Sequence, residues 1–181
     1  MRFPSPSALK PDTALLAILA GATLVLAAAC GRSYDTRDLS REGLRALAEE
    51  AFEEGDYGDA ASMFLELMYR FPGSSDIDYY LHMLGSSYSR ERHWSDAEFY
   101  LRRVVEDHPR SAWADDAQLE LARLFWKQRR DFRRDLTPVQ NALAEVEILI
   151  GSYPGSLLMD EALALEDSCR GHMARRAVFV G

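Results

Sequence analysis

Cysteine and histidine, the side chains that most often carry chemistry, are scarce in this chain of 181 residues, which has two cysteines and four histidines. The histidines are His82, His93, His108 and His172, and none has a second ligand at the spacing of a zinc motif such as H-E-x-x-H. No G-x-S-x-G, Walker or dinucleotide-binding glycine pattern is present. These residues predict a protein that is not an enzyme, with no metal site and no dissociable cofactor.

Cys30 follows an uncharged apolar run, residues 13–29, which Arg2 and Lys10 precede. A charged start, an apolar stretch and small residues at its end are typical of a signal peptide, here residues 1–29. Residues 26–30 (LAAAC) resemble a lipobox, in which the peptide is cleaved and the cysteine thiol receives diacylglycerol, although Ala27 replaces the usual leucine. We therefore expect a lipid anchor on Cys30, and a retained signal anchor is the alternative.

The charge of the chain argues against nucleic acid as a partner. The formal net charge is −8, and an acidic protein repels a phosphate backbone. The largest basic cluster, residues 127–134 (KQRRDFRR), is a local feature of an acidic chain. With Cys30 lipidated, Cys169 has no disulfide partner, and its helical surroundings predict a small buried hydrophobic residue.

Three segments of the chain end alike, with an aromatic residue or histidine, then proline, then serine two positions later. They are residues 69–74 (YRFPGS), 106–111 (EDHPRS) and 151–156 (GSYPGS). Each follows a run with helical apolar spacing, and proline ends such a helix because it lacks an N–H and clashes with the preceding turn. The pattern predicts stacked helical hairpins.

Small and aromatic residues recur at fixed distances before these prolines. Ala48 and Gly85 allow close approach of the first helix of a pair, and Ala60 and Ala97 do the same for the second. The aromatic residues that fill the remaining groove are Tyr57, Phe64, Tyr88 and Trp94. This arrangement resembles the tetratricopeptide repeat (TPR), which implies an all-α superhelix of helical hairpins.

The predicted repeat domain occupies residues 41–181, and residues 30–40 are the lipidated cysteine and a short linker. The third repeat has an insertion at residues 127–138, after which Thr137 is predicted as the N-cap and Pro138 as the first helical residue. A further helix is expected from about residue 157 to residue 177. The domain then has about three and a half repeats, and we expect further C-terminal repeats to be missing.

A lipobox cysteine, a short polar segment and TPR units directly behind it resemble the BamD family of lipoproteins, which belong to the β-barrel assembly machinery (BAM complex). The repeat endings and residues 135–138 (DLTP) carry the same resemblance. It implies a location on the periplasmic face of the outer membrane, and Gly31 after the lipid cysteine is compatible with delivery there. It also implies three partners: the POTRA domains of a BamA-like protein, other BAM lipoproteins, and unfolded outer-membrane proteins as clients.

In a TPR superhelix, the inner face is formed by fixed positions of each first helix. The positions that we expect to contact a peptide are Phe52, Tyr79, His82, Arg90, Arg123, Trp126 and Lys127. Aromatic residues here would anchor an extended peptide, and the cations would pair with its terminal carboxylate. Tyr79 and Arg90 are our leading candidates for client capture, and a solvated face without a ligand is the alternative.

Two other functions remain open at this point. One is a TPR lipoprotein adaptor for the cell envelope or division machinery, as in the Tol–Pal-associated YbgF-like proteins. The other is a lipoprotein for pilus or secretion assembly. YbgF-like proteins usually carry a coiled coil before their repeats, and residues 31–40 are too short for one, which favours the BamD resemblance.

Overall fold

The computed structural model describes residues 34–131 and 133–180 of the chain, and every regular element in these ranges is an α-helix. The chain divides into two compact units, Met1–Asp38 and Leu39–Gly181. In the first unit, the described residues form a short turn in which Arg37 pairs with Asp35 at 3.1 Å. The predicted signal peptide and Cys30 lie outside the described residues.

Seven helices make up the described part of the second unit. They are α1 (Arg41–Glu54), α2 (Tyr57–Arg70), α3 (Ile77–Arg90), α4 (Trp94–Asp107), α5 (Ala114–Lys127), α6 (Thr137–Ser152) and α7 (Met159–Val180). Each helix contacts the next one along the chain, so α1–α2, α3–α4 and α5–α6 are three successive hairpins. The first helices α3, α5 and α7 also contact one another in sequence. The all-α TPR-like repeat predicted from the sequence is confirmed.

The helix ends follow from local chemistry. Ser40 caps α1, because its Oγ accepts a hydrogen bond from the Gly43 backbone N–H at 3.2 Å. Gly55 ends the same helix in the left-handed region, at φ +89°, which glycine adopts without steric cost. The helices α2, α4 and α6 each stop two residues before a proline, as the repeat endings predict.

Small residues lie where adjacent helices come closest. Ala48, Ala60 and Ala97 are fully buried. Gly85 in α3 is the tightest point, since a Cβ atom placed there would lie 2.7 Å from Leu101 Cγ and 3.2 Å from the Leu101 backbone nitrogen in α4. Glycine at this position therefore determines how closely the second hairpin can close.

The serine of each repeat ending closes its hairpin from the far end. Ser111 Oγ donates to Asp78 at the start of α3, and Ser156 Oγ donates to Asp115 at the start of α5, both at 2.6 Å. In the first hairpin the polarity is reversed, because Arg41 Nη1 donates to Ser74 Oγ at 3.1 Å. The Pro-x-Ser ending thus combines a helix stop with a bond back to the first helix of the same hairpin.

The structure tests two predictions here, the N-cap of α6 and the burial of Cys169 in α7. The prediction of Thr137 as N-cap was wrong: α6 begins at Thr137, and Asp135 Oδ1 accepts the Thr137 backbone N–H at 2.9 Å, two residues earlier. Cys169 is fully buried, as predicted, and this burial raises the pKa of its thiol to about 11. The thiol is therefore protonated at neutral pH.

Candidate peptide-binding face

The first helices α1, α3 and α5 present one layer of polar and aromatic side chains, which we call the inner face. At its α1–α3 end these side chains bond to one another. Tyr79 donates its hydroxyl to Glu49 Oε1 at 2.6 Å, and Arg45 lies over the Tyr79 ring with its guanidinium carbon 4.4 Å from the centroid. Arg45 also pairs with Glu49 at 2.8 Å and with Asp76 at 3.2 Å. Burial, followed by the bond to Glu49, raises the pKa of Tyr79 well above its usual range.

Tyr79 and His82 of α3 both pack against Trp113, the residue that precedes α5. The Trp113 ring lies 4.9 Å from Tyr79 and is stacked on His82 at 5.4 Å, with an interplanar angle of 20°. Only 9 % of Tyr79 and 7 % of His82 is exposed. The expectation that Tyr79 is an accessible aromatic anchor is therefore corrected, because its ring and hydroxyl are both used in packing the first two hairpins against the third.

His82 remains chemically unusual in this buried position. Within the part of the chain that the structure describes, neither of its ring nitrogens has a hydrogen-bond partner. Asp116 lies close enough for its charge to interact with His82: burial raises the pKa of Asp116, and His82 partly opposes that rise. Both ring nitrogens are themselves buried, so the exposed part of His82 offers no hydrogen-bonding atom to a peptide at the surface.

Phe52 lies near the turn between α1 and α2. Its ring meets Tyr57 edge-on at 5.2 Å, at the turn between α1 and α2. The Arg90 guanidinium carbon lies 5.8 Å from the Tyr57 ring centroid. Phe52 is half-buried here, so it supports the position of Arg90 through Tyr57 and keeps some surface of its own.

The predicted residues of α5 differ in their exposure and in the contacts that they already make within the protein. Arg123 pairs with Glu161 of α7. The Trp126 ring is half-buried, with the Arg129 guanidinium carbon 4.1 Å from its centroid and the His172 ring edge-on at 5.9 Å. Lys127 is exposed, and its Nζ has one long contact, 3.5 Å to Ser89 Oγ.

The structure brings Arg90 and Lys127 together at one pocket of about 410 Å³, where α3 and α5 end. Surrounding protein, and then the charge of Arg90, lower the pKa of Lys127. Four further residues line this pocket that the helix register did not predict: Ser89, Arg92, Trp94 and Arg129. Ser89 lies in α3 next to Arg90. Arg92 and Trp94 lie in or beside the α3–α4 turn and Arg129 follows α5, so a register restricted to first helices does not include these three.

The comparison with protein families agrees with this architecture. A family model described as "YfiO: Outer membrane lipoprotein" matches residues 37–181, which is most of the chain. The chain belongs to the YfiO family of outer membrane lipoproteins. The expected resemblance to BamD-like proteins is thereby confirmed, and with it the assignment to the cell envelope. No curated protein matches the chain.

No helix in residues 34–131 and 133–180 has the length and apolarity needed to cross a membrane. Among the same residues, no group of three or more histidine, cysteine, aspartate or glutamate side chains is arranged to hold a metal ion.

Proposed function

We propose that this YfiO family member is a non-enzymatic scaffold, anchored to the periplasmic face of the outer membrane by a lipid on Cys30, that assists the assembly of β-barrel proteins. Membership of an outer membrane lipoprotein family supports the location and the lipid. The repeat architecture supports the scaffold role, because stacked hairpins present a long continuous surface to a partner.

The client, in this proposal, is an extended segment of an unfolded outer-membrane protein with its terminal carboxylate at Arg90 and Lys127. The observation that carries the proposal is a difference between the two ends of the inner face in how far their polar groups are already paired. The polar groups at the α1–α3 end are bonded to one another, whereas Arg90 and Lys127 have no carboxylate partner within ion-pair distance among the described residues. Half-exposed Trp126 lies next to Lys127 and supplies an aromatic surface.

Site-specific photocrosslinking tests this placement. A photoreactive residue at position 90 should form an adduct with a newly exported outer-membrane protein, while one at Arg103 in α4, which pairs with Asp107 on the other helix layer, should not. The photoreactive residue replaces Arg90, so Lys127→Gln should reduce the adduct at position 90 further, because the remaining cation that holds the carboxylate is then lost. Equal yields at positions 90 and 103 would remove the support for this site.

The proposed protein partners are the POTRA domains of a BamA-like protein and the other lipoproteins of the assembly machinery. Affinity purification of the lipidated protein from detergent-solubilised membranes, followed by mass spectrometry, tests them directly. Recovery of a BamA-like protein is the expected result. Recovery of Tol–Pal or pilus-assembly components in its place would favour an adaptor role in division or secretion.

A further inference from the structure

The pocket at the ends of α3 and α5 concentrates positive charge. Six residues line its volume of about 410 Å³: Ser89, Arg90, Arg92, Trp94, Lys127 and Arg129. Four of them are cations and none is a carboxylate. In a chain with a formal net charge of −8, such a local excess is opposite in sign to the protein as a whole.

These cations are not neutralised within the described residues. Arg90 lies over the Tyr57 ring, Arg129 lies over the Trp126 ring and donates to the Trp126 carbonyl at 2.8 Å, and no ion pair includes either. The acid whose charge reaches Lys127 is Glu120, which already accepts a hydrogen bond from Ser86. Like charges held this close repel one another, and a bound anion would relieve the repulsion.

Arg92 lines the pocket with its backbone in the left-handed region, which is unfavourable for a residue other than glycine. Its φ is +64°, and it is the single non-glycine residue with positive φ among those described. The same place in the first hairpin is taken by Gly55 at φ +89°, so the turn is built with glycine elsewhere in this chain. An L-residue in the left-handed region is strained, and such strain points to a role for the side chain itself. The role that the lining indicates is an extra guanidinium at the pocket.

We propose that this pocket binds a phosphate group, carried either by a lipid headgroup or by a free phosphate compound. Guanidinium groups match phosphate oxygens with two parallel hydrogen bonds, and three of the four cations are arginines. Four positive charges also exceed what the single charge of a carboxylate neutralises, and a phosphomonoester near neutral pH carries close to two.

This inference goes beyond client binding and does not depend on it. Arg90 and Lys127 serve both proposals, but Arg92 and Arg129 belong to the phosphate pocket alone. Loss of client crosslinking with phosphate binding intact would sink the first proposal and leave the second. The test therefore uses variants of Arg92 and Arg129.

The full-length protein in neutral detergent is titrated by calorimetry with three probes at constant ionic strength: inorganic phosphate, dihexanoyl phosphatidic acid and acetate. Phosphate compounds should bind about tenfold or more tightly than acetate, since a second charge-assisted contact is worth about that factor. Binding of phosphatidic acid and inorganic phosphate alike indicates recognition of the phosphate group itself. Binding of phosphatidic acid alone, lost in the variants below, identifies the lipid headgroup as the source.

Arg92→Gly separates binding from folding, because it removes the guanidinium and relieves the backbone strain. Phosphate affinity should fall by about tenfold while the melting temperature stays the same or rises. Arg129→Gln should weaken binding by a similar factor, and the control Arg103→Gln should change nothing. Acetate binding as tightly as phosphate, or unchanged phosphate affinity in Arg92→Gly, would overturn the proposal.

Discussion

Single positions in the second hairpin show how one atom can control the packing of two helices. Gly85 faces Leu101 so closely that any Cβ would require the side chain and backbone of α4 to move. By contrast, Gly151 near the end of α6 has open space around its absent Cβ. The same residue type therefore has a packing role in α3 and none in α6.

Gly85→Ala should lower the free energy of unfolding by about 1–3 kcal/mol, the usual cost of forcing an extra carbon into a packed helix contact. Chemical denaturation monitored by circular dichroism measures it. Gly151→Ala is the matched control, and it should leave stability unchanged or raise it by up to about 1 kcal/mol, because alanine favours a helix over glycine. Equal effects of the two substitutions would show that the α3–α4 contact is looser than described.

Between elements, the second helices α4 and α6 are joined by a polar contact. Glu145 in α6 is buried, and its carboxylate accepts from Arg102 of α4 at 2.8 Å and from Gln118 of α5 at 2.7 Å. Three helices from two successive hairpins thus meet at one carboxylate. A buried carboxylate that loses a partner keeps its desolvation cost, so this contact is more sensitive than an ion pair at the surface.

Arg102→Met should lower the free energy of unfolding by about 1–3 kcal/mol, because Glu145 would then be buried with only Gln118 as a side-chain partner. The neighbouring arginine offers the control: Arg103→Met removes a surface pair with Asp107 and should cost no more than about 0.5 kcal/mol. Thermal and urea unfolding of both variants provide the comparison. A loss in Arg103→Met as large as in Arg102→Met would contradict the role given to Glu145.

The described part of the repeat domain is held together mainly by contacts between helices that are adjacent along the chain. Each helix from α1 to α7 contacts the next, and the main additional contacts join α3 to α5 and α5 to α7. Stability in such an array is approximately a sum of repeat and interface contributions, and a local defect spreads to neighbours before it reaches distant repeats. The two ends of the array should therefore respond separately to damage.

Leu44 in α1 and Leu149 in α6 are both fully buried and lie in different hairpins. Leu44→Ala should cost about 2–5 kcal/mol locally and accelerate amide hydrogen exchange in α1 and α2 more than in α5 to α7. Leu149→Ala should give the reverse pattern. Hydrogen exchange followed by mass spectrometry measures the exchange rates in both variants. Uniform acceleration of exchange along the whole domain in either variant would indicate one cooperative unit in place of coupled repeats.

The helical repeat could be read from the sequence because its causes are local. Proline stops, apolar spacing and small residues at recurring positions act within one hairpin, so they predicted the turns after α2, α4 and α6 and the burial of Ala60 and Ala97. The family assignment followed from the same pattern. The N-cap of α6 was misplaced by one residue: the helix begins at Thr137, so the N-cap position is Leu136, and the Thr137 backbone N–H is bonded by Asp135, one residue before Leu136.

The accessibility of the inner face was decided by the tertiary structure. Helical register placed Tyr79, His82, Arg90 and Lys127 on one inner face, but Trp113, which precedes α5, covers the first two. The pocket at Arg90 and Lys127 gains Arg92 and Arg129 from the residues that follow α3 and α5. Periodicity fixes which side of a helix a residue faces, whereas its exposure and charge neighbours depend on packing between helices that are distant in sequence.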